Sequence, residues 1–385
     1  MGFDLFGNLA LGAATAFSLA NVLYCLLGVT LGTLIGVLPG IGPSATIAML
    51  LPITFGMDST SSVIMLAGIY YGAQYGGSTT AILVNLPGEA SSAVTVIDGH
   101  QMARKGQAGT ALAIAAIGSF VAGTIATLLV ALFAPPLAAM ALKFGPADYF
   151  SLIVLGLIFA VSIAHGSLLK ALAMIALGLL LGTIGMDTFA GVARFTLGIR
   201  PLTDGLDMIA LALGLFGFAE IIKNLENDEE RRALTTRLSS LLPTPADLAR
   251  SVMPILRGTS VGSILGVLPG GGATLAAFAA YALEKRVAKQ PERFGAGAIE
   301  GVAAPEAANN AGAQTSFIPM LTLGIPSNPV MALMIAALLI QGIIPGPGIM
   351  NTQPALFWGV LVSMWLGNLF LVILNLPLIG IWVRL

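Results

Sequence analysis

Apolar residues run in long stretches along this chain, and polar residues gather in a few short ones. The apolar runs fall at 19–38, 44–55, 62–86, 108–134, 149–165, 167–186, 208–222, 253–268, 273–283, 302–325, 329–344 and 355–383. A helix that crosses a bilayer needs roughly 20 mostly apolar residues. The pattern therefore predicts an all-α polytopic membrane protein. Runs 44–55 and 273–283 are too short to span alone. Each follows an LPG triplet, and each is expected to be one arm of a broken or re-entrant hairpin.

Three stretches interrupt the apolar pattern: 98–107, 223–250 and 284–293. They read as polar loops and hold 11 of the 17 lysines and arginines. Basic residues mark cytoplasmic loops. Four apolar runs separate the first stretch from the second, so an even number of crossings puts both on one side. This divides the chain into a first membrane repeat with its following helices (1–222), a cytoplasmic polar loop (223–250) and a second membrane repeat (251–385). The N-terminus lacks the basic region of a cleaved signal peptide, so the first apolar segments are expected in the mature protein.

Composition narrows the function classes. Charged residues make up 9% of the chain and hydrophobic ones 57%, whereas soluble domains carry roughly 25% charged residues. A net charge of −1 gives no field for nucleic acid. One cysteine and two histidines exclude a disulfide framework and a Cys/His metal site. No phosphate-binding loop, hydrolase elbow or zinc-protease motif occurs. The expectation is a secondary transporter, not an enzyme and not an ATP-driven pump.

The strongest internal signal is a repeat. Residues 28–42, GVTLGTLIGVLPGIG, align without a gap on residues 258–272, GTSVGSILGVLPGGG, with eight identities. Gly28, Gly32, Gly36 and Gly40 recur as Gly258, Gly262, Gly266 and Gly270. At this spacing they share one helix face, which lets another helix approach closely. The Pro-Gly at the end of each ridge predicts a break, and the half-helix after it aims free N–H groups at the break. Such a helix start suits an anion. A looser second match pairs 70–89 with 308–328. With 62–86 crossing once, the two copies would be inverted repeats, which place a substrate site near the membrane midplane.

Candidate site residues follow from that geometry. Gly40 and Ser44, and Gly270, Gly271 and Gly272, stand at the two hairpin breaks. Gln74, Gly76, Gly77, Ser78, Thr79 and Thr80 form a polar segment expected to be a second break. Asn309, Asn310, Gln314, Thr315 and Ser316 form its counterpart. Amides and hydroxyls here would hold a carboxylate and a bare cation. The alternative for any single Ser or Thr is interhelical packing. Asn85, Glu306 and Ser327 are candidates for a coupling ion. A carboxylate such as Glu306 inside a membrane needs a partner, a proton or a cation. Glu89, after a Pro-Gly turn, reads as an interfacial loop residue.

Several long motifs carry a family resemblance. They are GTLIGVLPGIGPSATIAMLLPITFG, IMLAGIYYGAQYGGSTTAILVNLPGEASSAVTVIDGHQMARKGQAG, ERFGAGAIEGVAAPEAANNAGAQTSFIPMLTLGIPSNPVMALM and FWGVLVSMWLGNLFLVILNLPLIGIW. The chain resembles the large membrane subunit of tripartite tricarboxylate transporters over essentially all of residues 19–385. The resemblance implies a small four-helix membrane subunit and a periplasmic substrate-binding protein as partners. It implies uptake of a small carboxylate across the bacterial inner membrane, with no cofactor beyond Na+ or H+ as coupling ion. Family members usually continue with further spanning helices, which this chain is expected to lack. A passive channel, or a receptor scaffold for the loaded binding protein, is the rival reading.

Overall fold

The computed structural model describes residues 4–38, 42–163, 167–186, 192–206, 210, 211, 214, 222, 242–268 and 272–376. Gly40, Gly270 and Gly271, with Pro39 and Pro269, lie outside the described residues, as does all of 223–241. The described chain is mostly helical. Its first half holds α1 (Leu5–Ala16), α2 (Leu19–Gly36), α3 (Pro43–Leu50, prolonged by a 3-10 turn Leu51–Gly56), α4 (Ser59–Val84), α5 (Ala93–Arg104), α6 (Ala108–Ala141), α7 (Pro146–Ile163) and α8 (Leu168–Leu181). A two-residue antiparallel pair, β1 (Gly185–Met186) and β2 (Ala193–Arg194), follows. The second half holds α9 (Pro245–Val267), α10 (Gly272–Val287), α11 (Glu300–Thr315), α12 (Phe317–Leu323), α13 (Pro329–Ile340), α14 (Ile349–Thr352) and α15 (Pro354–Asn375).

The helix starts are written in the sequence. Asp4, Ser18, Asp58 and Asn328 each accept a backbone N–H from the first turn they cap. Thr244 and Asp247 form a reciprocal capping box at the start of α9. Among the described residues, α2, α6 and α15 are long and apolar enough to cross a membrane. Four shorter apolar helices accompany them. At 26 residues α4 is about 39 Å long, but its C-terminal half is polar. No residue of α8 is buried. Leu168, Leu169, Leu179 and Leu180 are exposed there, as suits a lipid-facing surface.

The glycine ridges decide the packing. A Cβ at Gly28, Gly32 or Gly36 would stand 2.2, 2.3 or 2.3 Å from the backbone oxygen of Met65, Ile69 or Ala73. A Cβ at Gly258, Gly262 or Gly266 would stand 2.2, 2.3 or 2.4 Å from the oxygen of Ala304, Ala308 or Gly312. Only glycine permits this approach. In each pair the residue numbers rise together, so α2 runs parallel to α4 and α9 parallel to α11. The intervening arms, α3 with its turn and α10 with its loop, therefore return the chain to its starting level. A shift of 239 residues carries Met65 to Ala304, Ile69 to Ala308 and Ala73 to Gly312. The same shift carries Asn85 to Gly324; both end their helices in the left-handed conformation, at φ 63° and 69°.

The two units meet along α4 and α11. Ser78 bonds Glu306, and the Tyr71 ring lies 6.0 Å from that of Phe317. Numbers rise on one helix as they fall on the other, so α4 and α11 are antiparallel. Helix α6 runs parallel to α11, bonded through Ser119 to Glu306 and through Thr127 to Gln314. Helix α15 closes the other side, where Tyr75 donates to Asn368.

Three sequence expectations are corrected here. Residues 74–80 and 309–315 are helix interior, not breaks. Their hydroxyls donate one turn back, as Thr79 does to Tyr75 O (3.2 Å) and Thr315 to Ala311 O (3.0 Å), so the polar side chains need no unwound backbone. Residues 98–104 belong to α5 rather than to a basic loop. Asp98 is fully buried: its Oδ1 accepts the backbone N–H groups of Gly295, Gly297 and Ala298 at 2.7–2.9 Å, and Tyr281 donates to Oδ2. The stretch 284–293 begins inside α10, where buried Glu284 takes both nitrogens of the Arg257 fork.

The described residues of all three polar stretches nonetheless converge at one end of the bundle. Lys105, Gln107, Asp247, Arg250 and Arg293 surround a cavity of about 320 Å³ there. Lys105 donates to Ala296 O, and Arg250 bridges Glu300 at 2.8 Å.

Candidate functional site

A helix of 3.6 residues per turn sends neighbouring side chains to different faces. The candidate residues on α4 accordingly divide three ways. Gly76 packs on α2, and Thr80 donates to Val37 O at 2.9 Å on that same face. Ser78 and Thr79 line a small cavity with residues of α6 and Glu306. Gly77 lies under the side chain of Glu89. Helix α11 divides likewise. Thr315 meets Gly266 of α9. Asn310 and Gln314 turn to Ser119 and Thr127 of α6. Asn309 faces the first unit.

That last face builds a centre between the two units. Asn309 Nδ2 donates to Glu89 Oε1 at 3.3 Å. Asn328 Nδ2 donates to Tyr70 Oη at 3.4 Å and to Ser316 Oγ at 3.3 Å. The shift of 239 residues maps Tyr70 onto Asn309 and Glu89 onto Asn328, so the two bonds between units are equivalents. Gly272 joins from the second hairpin. It starts α10 at φ +54°, and a Cβ there would lie 3.3 Å from Asn328 Cβ. Three groups at this level are buried without a hydrogen bond among the described residues: both amide atoms of Gln74, Asn309 Oδ1 and Ser327 Oγ. Buried polar atoms are nearly always satisfied, which makes these groups candidates for contact with a ligand.

A second polar group surrounds Glu306. The residue is 1% exposed; Ser78 donates to Oε2 at 2.6 Å and Thr95 to Oε1. Asn310 Nδ2 donates to Glu306 O and to Ser119 Oγ, at 3.1 and 2.7 Å. Glu306 is therefore shut off from solvent.

The other candidates stand apart. Ser44 is buried in the first turn of α3, and no hydrogen bond between described residues ties it to the centre. Asn85 is exposed and supplies the left-handed end of α4. Sequence reasoning missed Tyr70, Thr95, Ser119 and Asn328. Glu89 is a half-buried loop residue whose side chain folds back against Gly77. The shared Pro of NLPGE and GIPSN, 239 residues apart, was the signal that pairs Glu89 with Asn328.

Comparison with known proteins gives the family of the chain. Residues 22–385 match the family model described as tripartite tricarboxylate transporter TctA family. An uncharacterized 52.8 kDa protein in the TAR-I ttuC' 3' region of Agrobacterium vitis is 63% identical over 382 residues, covering 99% of this chain and 76% of the relative. An uncharacterized protein in the TAR-II ttuC' 3' region of the same organism is 68% identical over 124 residues, covering 32% of this chain and 51% of that relative. No solved structure matches. The chain is thus a membrane protein and not an enzyme, and it belongs to the TctA family, the large membrane component of tripartite tricarboxylate transporters.

Proposed function

We propose that this chain is the transmembrane subunit of a binding-protein-dependent secondary transporter, importing tricarboxylates or related small carboxylates across the bacterial inner membrane on an ion gradient. A periplasmic binding protein would deliver the substrate, and a small four-helix membrane subunit would complete the complex. The polar end around Lys105, Arg250 and Arg293 would face the cytoplasm. The two glycine-ridged helix pairs would be inverted repeats. What supports this is the parallel packing within each pair and the antiparallel run of α4 against α11.

One observation carries the substrate site. Gln74, Asn309 and Ser327 leave buried polar atoms unpaired, beside the equivalent bonds Asn309–Glu89 and Asn328–Tyr70. Amide N–H groups, with the hairpin beginning at Gly272, suit a carboxylate, and inverted-repeat carriers bind at such a level. Alternating access would move one unit against the other about that level.

The test is uptake by proteoliposomes holding both membrane subunits, titrated with binding protein and a panel of labelled carboxylates under an imposed ion gradient. Accumulation above the outside concentration, dependent on binding protein, is the expected result. Equilibration without accumulation would establish a passive channel. Binding of the loaded partner with no flux would establish a receptor scaffold.

A further inference from the structure

Three helices begin at one place. The chain enters α6 past Gln107, α9 through Asp247 and α11 past Ile299, and all three residues line the polar cavity of about 320 Å³. Helix starts carry a partial positive charge. Asp247 offsets it at α9, where its carboxylate is engaged in the capping box. At α6 the cap residue Gln107 makes no side-chain bond to the first turn. The N–H groups of Ala108, Gly109 and Thr110 have no partner within the helix, and Thr110 lines the cavity.

Side chains add to this charge. Three cations, Lys105, Arg250 and Arg293, and one carboxylate, Asp247, line the cavity. Arg250 commits Nε and Nη2 to Glu300 at 2.8–3.2 Å and keeps Nη1 free of it. Lys105 commits one of its three hydrogens to Ala296 O. Arg293 is half-buried and has no acceptor among the described residues. The cavity thus offers more N–H donors than acceptors. A guanidinium fork with no carboxylate opposite it matches a phosphate group, which it can grip by two parallel bonds.

The surroundings say which phosphate. Inward, the cavity ends on buried Met102 and Ile299, and Val302 and Ala303 in the next turn of α11 are fully buried. Packed core therefore stands between this cavity and the centre at Asn309. Outward, Leu248, Val252, Met253 and Leu256 of α9 are exposed within two turns of Arg250. A charged helix end followed at once by an exposed apolar face suits the level of the bilayer where lipid phosphates stand. Basic pockets between membrane helices are seats for acidic phospholipid headgroups.

We propose that this cavity binds the headgroup of an anionic phospholipid, its phosphate held by Arg293, Lys105 and the free side of Arg250. The acyl chains lie along the exposed apolar residues of α9. Lys105 belongs to the first unit and Arg250 and Arg293 to the second, so the lipid clamps the two units together at this end. The site is separate from the substrate centre, and it holds whichever face of the membrane this end occupies.

The test is binding by the purified full-length chain in a neutral detergent. Phosphatidylglycerol is titrated in mixed micelles against phosphatidylcholine, and thermal unfolding and native mass spectrometry are followed. Phosphatidylglycerol is expected to raise the unfolding temperature and to stay bound in the mass spectrum, and phosphatidylcholine is not. Arg293→Gln and Lys105→Gln should each raise the half-saturating fraction of phosphatidylglycerol about tenfold, as one lost bond to a charged group requires. Arg293 has no partner to lose among the described residues, so its variant should fold as wild type does. Lys285→Gln combined with Lys289→Gln removes charge from exposed residues that do not line the cavity, and it should leave the response unchanged. A response equal in wild type and both cavity variants overturns the site. An equal loss in the Lys285 and Lys289 control overturns it in favour of diffuse attraction to charge, and equal stabilisation by phosphatidylcholine removes the role of charge. Stabilisation by inorganic phosphate or citrate in place of the lipid, abolished by Arg293→Gln, overturns the lipid and assigns the cavity to a free anion.

Discussion

Asn309 and Glu89 join the two halves of this protein by a hydrogen bond of 3.3 Å, although 220 residues separate them. The bond has a counterpart, Asn328 to Tyr70, made by the equivalent residues with the halves exchanged. The two bonds thus link equivalent positions of the two units across the seam between them.

Replacing Asn309 or Asn328 by Ala is expected to weaken substrate binding about ten- to hundredfold each, since a hydrogen bond to a charged group is worth roughly 1.5–3 kcal/mol. The folded yield should stay near that of wild type for Asn309→Ala and fall modestly for Asn328→Ala, which also removes the cap of α13. Equilibrium binding of labelled carboxylate to the purified complex measures this. Unchanged affinity with a lowered unfolding temperature would assign both residues to packing alone.

The glycine ridges should behave differently. Gly32→Leu and Gly262→Leu place a side chain where even a Cβ would meet a carbonyl oxygen at 2.3 Å. Overpacking typically costs about 1–3 kcal/mol, occasionally more, and a backbone contact leaves little room to relax. Folded yield from size-exclusion chromatography should fall sharply for both. Normal yield of either would mean that the helices can separate without loss.

Asp98→Ala removes the acceptor for Gly295, Gly297 and Ala298. The expected loss is about 1–3 kcal/mol, the usual cost of leaving a buried donor unpaired. The segment before α11 should then become open to protease, as limited digestion would report. Asp98→Asn, which keeps an acceptor oxygen, should lie between the two.

Cysteines placed at Lys105, Arg250 and Arg293, after Cys25→Ser, should all resist a membrane-impermeant thiol reagent in intact cells and react after permeabilisation. The three positions ring one cavity, so they should change together. Labelling of one of them alone in intact cells would break the shared-side assignment.

Much of this was legible in the sequence, and the rest was hidden for definite reasons. The ridges Gly28–Gly36 and Gly258–Gly266 showed at once because their spacing and their offset of 230 residues are both regular. The second match looked loose because the arm between ridge and partner is nine residues longer in the second unit, which changes the offset to 239. Aligned at that offset, Asn85 with Gly324 and Pro87 with Pro326 fall into place. The polar segments at 74–80 and 309–315 were taken for breaks because Gly, Ser, Thr and Asn are poor helix formers in water. Buried beside other helices, their hydroxyls bond one turn back and their glycines admit neighbours, so the helix continues. Which face each residue takes depends on where α2, α6 and α9 pack, and no single segment records that.

The glycine contacts also carry a mechanical consequence. Where backbone lies directly on backbone, as between Gly32 and Ile69 or Gly262 and Ala308, there are no long side chains to swing or re-pack, so α2 with α4, and α9 with α11, behave as stiff double beams. Compliance is left to the seam between α4 and α11, where a handful of hydrogen bonds and tilted rings can be exchanged for others. Displacement in such a body concentrates at the seam, much as a hinge localises the bending of a rigid frame, and both polar centres of this protein sit on that line.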